Sequence, residues 1–442
     1  MRRGLLVALA AVGLGGCALS GSGGLPADVR GPTREVLANG VVLITHEHQA
    51  SEVVALQLWM RVGARDESSD ELGLSHYLEH MLFKGTPTRP PGSIDAFIEG
   101  LGGQSNAFTS YDYTHYDVVL PAEHLGVGVE LLADIAVNAS FEQKELDAER
   151  KVVFEEMRLT EDNPDRFMVR RLYELAYMPY PYGRPILGTP ELIGGLTRER
   201  LRAYYKKYYV PANMTLVVVG AVRPDEVRRV AEAAFGRLTT VGPPRPASPP
   251  PPALDRSRRL EVPRPEQQAY LGLAWRVAAT NEPDVYATDL LTYILGDGPS
   301  SRLSQTLRER ARLVFAIESG YGAWEKAGVV TVIARLDPAN LDRAEASILE
   351  VLRRVRAEGV SEAERQRAIV TAESNYAFDI ETAEGLAKTY GQAETTWTLP
   401  NELVYLPRLR QVTAAEIQAV ARKYFGDDNY ARVRFVPRGA PR

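Results

Sequence analysis

Apolar residues change their spacing repeatedly along the chain, and each change predicts an element. Val36 to Thr45 is two apolar runs around Asn39-Gly40, which predicts a hairpin. Val53 to Val62 reads as a further strand. Leu74, Leu78, Met81 and Leu82 then recur at helical spacing. Ser93 to Leu101 reads as a short helix closed by Gly102 and Gly103. Gln104 to Pro121 alternates aromatic, polar and β-branched residues and predicts one long strand. Helices follow at Leu125 to Val137 and Gln143 to Thr160, the second charged and amphipathic. After a loop at Tyr180 to Pro185 come a helix (Thr197 to Tyr209), an apolar strand (Met214 to Gly220) and a helix (Asp225 to Phe235). His46 and His48 alternate as along a strand and read as solvated strand residues, not ligands.

The pattern is interrupted at 239–257 by Pro243, Pro244, Pro246 and the run Pro249 to Pro252, a stiff, extended linker. It then repeats. Leu196-Thr197, Leu201, Lys207-Tyr208, Asn213 and Val217 correspond to Val412-Thr413, Ile417, Lys423-Tyr424, Asn429 and Val433 at a constant offset of 216. Leu58 and Arg61-Val62 correspond to Leu273 and Arg276-Val277 at offset 215. The expected fold is α+β: two homologous duplicated α/β-sandwich domains, each an antiparallel-rich sheet packed with helices, at 33–238 and 258–438.

A chain of 442 residues, 45% hydrophobic and 25% charged, fits a globular protein of two domains or more. Its net charge of −5 leaves no basic footprint, so nucleic acid is not expected as a partner. Residues 1–16 have a positive start at Arg2 and Arg3 and an apolar run too short to span a bilayer, as a secretory signal does. The run ends at Leu14-Gly15-Gly16-Cys17. This resembles the lipobox of bacterial lipoproteins and implies cleavage before Cys17, its lipidation, and a membrane anchor. Ala18 in the next position implies the outer membrane, facing the periplasm. Residues 17–32 would be a flexible tether. Cys17 is the only cysteine, so no disulfide can form within the chain.

The chemistry concentrates at His76, Glu79 and His80, in the order H-x-x-E-H. Residues four apart share a helix face, so two imidazoles can reach one ion. The order is the inverse of the zinc-peptidase motif H-E-x-x-H and is itself the inverzincin motif. A catalytic zinc takes three protein ligands and keeps a position open. The long helix offers Glu145, Glu149, Glu155 and Glu156. Glu149 and Glu156 lie two turns apart on one face, and spacing does not choose between them. At offset 215 the motif falls on Leu291, Ile294 and Leu295, so the repeat has lost the metal chemistry and the chain offers one site, with one zinc.

The His76 helix, Asn106-Ala107-Phe108-Thr109, the run Glu149 to Glu156 and Tyr182 to Gly188 resemble the pitrilysin/insulinase family of zinc peptidases. The likeness runs from about Thr33 to Val436, and the length and duplication resemble the short bacterial relatives of mitochondrial processing peptidase. The resemblance implies Glu156 as third ligand and Glu149 as a carboxylate supporting the ligand sphere. It implies Glu79 as the base that takes a proton from the zinc-activated water. Asn106, Ala107 and Thr109 would hold an extended peptide substrate by strand pairing. Arg308 would reach the substrate from the second half, and Phe315 stands where the family carries a tyrosine. A phenylalanine has no hydroxyl to offer a developing oxyanion. Relatives of this length imply a homodimer or a heterodimer with a related chain.

The leading expectation is thus a zinc endopeptidase acting on peptides or unfolded polypeptides. An idle subunit that keeps the fold as an interaction protein is the alternative, motivated by Phe315. A binding protein with a structural zinc is weaker, because such a site wants four ligands.

Overall fold

The computed structural model describes residues 31–239, 242, 245 and 248–438. Cys17, the signal-like segment and most of the expected tether lie outside the described residues. From Pro32 onward the chain is one compact unit.

The first half runs β1 (Thr33–Val36), β2 (Val42–Glu47), β3 (Val53–Met60), α1 (Leu74–Leu82), α2 (Ser93–Gly100), β4 (Gln104–Thr109), β5 (Thr114–Pro121), α3 (Leu125–Asn138), α4 (Gln143–Asp162), α5 (Pro164–Tyr177), α6 (Pro190–Gly194), α7 (Arg198–Tyr208), β6 (Met214–Gly220) and α8 (Pro224–Ala234). The second runs β7 (Arg258–Arg264), β8 (Ala269–Val277), α9 (Val285–Gly296), β9 (Val314–Ala323), β10 (Gly328–Leu336), α10 (Leu341–Glu358), α11 (Glu362–Asp379), α12 (Ala383–Thr396), α13 (Leu399–Leu403), α14 (Tyr405–Gln411), α15 (Ala414–Tyr424) and β11 (Ala431–Pro437).

Two sheets result, in the orders β1-β2-β6-β3-β5-β4 and β7-β11-β8-β10-β9. Leaving out β1, they share one topology. Each has a parallel outer pair, β2 with β6 and β7 with β11, and antiparallel pairing beyond it. The duplication read from the sequence is therefore a duplication of fold.

Each sheet packs one face on its own helices. Leu56, Leu58, Tyr116 and Leu216 meet α1, α3 and α7, and Leu271, Leu273, Val330 and Val332 meet α9, α10 and α15. The other face is covered by a helix from the opposite half. Met168, Leu172 and Ala176 of α5 lie with Ala274, Val329 and Val433 of the second sheet. Leu386, Ala387 and Tyr390 of α12 lie with Ile44, Ala55, Trp59 and Val217 of the first. Burial on both faces explains why β3 and β6 are nearly continuous apolar runs. The approach is close: a Cβ at Gly391 of α12 would stand 2.0 Å from Trp59 Nε1.

Three expectations change. Gln104 to Pro121 is not one strand but the hairpin β4–β5, register Gln104↔Val119 to Thr109↔Thr114. Ser110 N donates to Tyr113 O (2.8 Å) and closes the turn, while Asp112 is held by Arg65 (3.0 Å) and Tyr182 (2.9 Å). His46 is buried, with Nδ1 2.9 Å from Tyr390 Oη, because α12 covers that face. His48 lies past the end of β2. The helix α5 adds an element to those expected. Asn163 caps it by accepting from Asp165 N and Arg166 N, with Pro164 in its first turn.

The linker is pinned rather than merely spanning. Arg245 donates to both carboxylate oxygens of Asp66 (2.8 and 2.7 Å) and to Glu325 of the second half (2.9 Å). Arg65 adds bonds to Asp112 and, at 2.8 Å, to Glu325. This buried network ties both halves and the linker beside the start of α1.

Candidate metal and peptidase site

The site is built on α1, whose start is specified by two devices. Gly73 has φ +92°, and a Cβ there would meet Leu187 O at 2.8 Å, so the entry requires glycine. Glu67 then caps the first turn from outside. Its two oxygens accept from Gly73 N and Ser75 N, both at 2.8 Å, filling donors a helix start leaves unpaired. Burial pushes the Glu67 carboxyl up to about 8, against the pull of those backbone N–H groups.

From this start, Leu74, Tyr77, Leu78, Met81 and Leu82 enter the core. His76, Glu79 and His80 are left toward α4 and the β4–β5 hairpin. His76 Nε2 lies 3.4 Å and His80 Nε2 3.5 Å from the same oxygen of Glu156 on α4. Ligand atoms at about 2.0–2.1 Å from a tetrahedral ion stand roughly 3.3 Å apart. Among the described residues this trio is the one group of three or more ligand-type side chains whose donor atoms converge, within 4.8 Å of one another. The donor set, two imidazoles and a carboxylate, suits a divalent cation and leaves a fourth position open.

Glu149, two turns before Glu156, meets the other nitrogen of His80. Its Oε2 is 3.0 Å from His80 Nδ1, and its Oε1 is 2.9 Å from Lys84 Nζ. The expected helix face is thus real, and the two glutamates divide it between the two ring nitrogens. The carboxylate orients the imidazole and leaves Nε2 free to coordinate a cation. His76 has no such support: its buried Nδ1 finds no partner among the described residues.

The titration of these groups follows from their surroundings. Burial, then neighbouring His80, lowers His76 to about 4, so it is neutral at pH 7 as a ligand must be. Burial disfavours the charge on His80 too, but Glu149 and Glu156 outweigh it and raise the ring to about 9. A bound cation would take the place of that proton. Burial raises Glu79, partly opposed by the Thr109 hydroxyl and His80. Its Oε2 is buried and has no partner among the described residues.

Of the expected substrate residues, Asn106, Ala107 and Thr109 lie on β4, the outer strand of its sheet. Asn106 is exposed, Ala107 half-buried, and Thr109 buried toward Glu79. Arg308 pairs with its neighbour Glu309 (2.8 Å) in a π-helical segment, Ser304–Arg310. Phe315, on the edge strand β9, is 58% exposed. Lys84, Glu67 and Thr109 as a neighbour of Glu79 are not legible in the sequence as a set, because each acts through a contact between elements.

Comparison with known proteins agrees with this geometry. The model of the insulinase family (peptidase family M16) matches residues 41–190, and that of the peptidase M16 inactive domain matches 195–370. An uncharacterized zinc protease of Rickettsia bellii is 30% identical over 394 residues, 88% of this chain and 94% of that protein. The chain belongs to the insulinase (M16) family of peptidases. The uncharacterized zinc protease YmxG of Bacillus subtilis is 28% identical over 407 residues, 92% of this chain and 98% of that one. The crystal structure of a protease from Helicobacter pylori superposes with a TM-score of 0.87 at 25% identity, covering 92% of this chain and all of that one. The periplasmic protease PqqL of Escherichia coli (TM-score 0.75, 22% identity) is matched over 92% of this chain and 47% of that one, so this chain equals about half of it in fold. The M16 inactive-domain match, which starts in the first half at residue 195, takes in α9, which carries buried Leu291, Ile294 and Leu295 at the motif positions.

Proposed function

We propose that this M16 chain is a zinc-dependent endopeptidase that hydrolyses peptides and unfolded polypeptides. The observation that carries the reading is the convergence of His76 Nε2 and His80 Nε2 on Glu156, with Glu79 poised beside them. His76, His80 and Glu156 would hold the zinc. When bound, the metal would supply Lewis acidity, acidifying a water and polarising the scissile carbonyl. Glu79 Oε2, buried and without a partner among the described residues, accepts the water's proton as the new C–O bond forms. It returns that proton to the amide nitrogen as the C–N bond breaks. Glu149 holds His80, and Lys84 holds Glu149. The outer edge of β4 offers backbone groups to an extended peptide, with affinity that asks little of the sequence.

Two further parts belong to this proposal. The exposed Phe315, where the family carries a tyrosine, favours a second chain that completes the site, in a homodimer or a pair with a related subunit. In that arrangement a chain with Phe315 would be the weaker catalyst. Cys17 would carry lipid and hold the enzyme at the cell envelope, facing the periplasm. The test is a quenched peptide library given to the anchor-free protein with and without a chelator. Chelator-sensitive cleavage is expected, and silence in both would favour an idle subunit.

A further inference from the structure

The second half contains a cavity of about 320 Å³ that the peptidase reading does not use. It lies between α9, α11, α12, β9 and the turn joining α13 to α14. Its walls are aromatic, with Tyr293, Tyr321, Tyr376, Trp397 and Tyr405. Three carboxylates, Asp289, Asp379 and Glu402, line the same space. Among the described residues none of the three forms an ion pair. Of the basic side chains on neighbouring elements, Lys423 pairs with Asp284 and Arg410 with Glu373, while Arg408 stands, like Glu402, near Tyr286. The Tyr405 hydroxyl donates to Asp289, and Tyr376 faces Glu402. Burial raises both Asp289 and Glu402 to about 6. Asp289 and Glu402 are half-buried and Asp379 is exposed, so all three can meet an entering cation, and aromatic faces attract cations.

The flanking positions are also unusual. Phe378 is 71%, Leu403 48% and Val404 39% exposed, and they adjoin Asp379, Glu402 and Tyr405 in the chain. A volume near the low end of small-ligand sites fits one long side chain rather than a peptide. We propose that this cavity is a docking site for a lysine or arginine side chain presented by an apolar segment of a polypeptide. The cation would lie between the aromatic rings and the carboxylates, and the apolar segment would cover Phe378, Leu403 and Val404.

The α12 helix gives the site a way to be read. Thr389, Gln392, Ala393 and Thr396 line the cavity, while Leu386, Ala387 and Tyr390 pack on the first sheet. The test uses the full chain carrying Glu79→Gln, so that no probe is cleaved. Tryptophan fluorescence is followed on adding the peptide acetyl-Ala-Leu-Arg-Leu-Ala-amide or its citrulline twin, which has the same shape without the charge. A saturable change is expected with the arginine peptide, at least tenfold weaker with citrulline, and absent in Trp397→Phe. Glu402→Gln should weaken it at least tenfold, and Phe378→Ser, an exposed change that leaves the fold intact, several-fold. Equal binding of the two peptides, a signal that survives Trp397→Phe, or indifference to both Glu402→Gln and Phe378→Ser would overturn the proposal. Because the readout is local to Trp397, those failures would leave the peptidase reading untouched.

Discussion

Glu149→Gln isolates how the protein prepares His80. In the structure Glu149 Oε2 accepts from His80 Nδ1 at 3.0 Å, and Lys84 holds its other oxygen at 2.9 Å. A hydrogen bond to a charged group is worth about 1.5–3 kcal/mol. Carboxylates behind metal-bound histidines typically govern about 10–100-fold in metal affinity, or about 1.4–2.8 kcal/mol. The two ranges agree, so Glu149→Gln should weaken zinc by one to two orders of magnitude. Glu156→Gln removes a ligand and should cost more. Lys84→Met leaves the carboxylate in place and should cost less than tenfold. Competition of each anchor-free variant against a fluorescent zinc chelator gives all three dissociation constants. The reasoning fails if Glu149→Gln binds zinc within twofold of the parent, or if it matches Glu156→Gln.

Three other outcomes are expected. Arg245→Ala removes the linker's side of a buried network and leaves Asp66 without its cation, while Glu325 keeps Arg65; it should cost about 3 kcal/mol, read as a lower urea midpoint, and an unchanged midpoint would make the linker a passive spacer. Glu364, bonded through both oxygens to Arg302 (2.6 and 2.8 Å), is held at about 2, well below its usual 4.5, chiefly by that pair. A depressed carboxylate contributes stability above its unfolded value that is lost as pH falls, so this contribution should fade between about pH 4.5 and 2. Glu364→Gln should flatten urea stability over that window, and an unaltered acid profile would contradict the pairing. Phe315→Tyr, on an exposed face of β9, should leave stability within about 0.5 kcal/mol and raise kcat; no rise would remove the motive for a tyrosine hydroxyl supplied by a partner chain.

What is legible in the chain follows from range. His76, Glu79 and His80 lie within two turns of one helix, so their shared face can be read directly. Glu149 and Glu156 cannot be separated by period, and the structure supplies the reason: both face His80, one at each nitrogen. The duplication is legible because Leu196 and Val412 begin matching series. The exchange of α5 and α12 is not, since an amphipathic pattern shows that a face is buried but not which sheet buries it. His46 reads as solvated for that reason, its cover being Tyr390, more than three hundred residues away. The hairpin β4–β5 is hidden because its turn, Tyr111-Asp112, lacks glycine and continues the aromatic alternation. Asp112 is held there by Arg65 and Tyr182, contacts invisible to local pattern.

The central claim is that His76, His80 and Glu156 hold the metal while Glu79 moves the proton. Glu79→Gln separates the two roles in one protein. Elemental analysis should find one zinc per chain, as in the parent, while cleavage of a quenched peptide falls about 10²–10⁴-fold. A variant that has lost its zinc, or that cleaves at the parent's rate, would contradict the account.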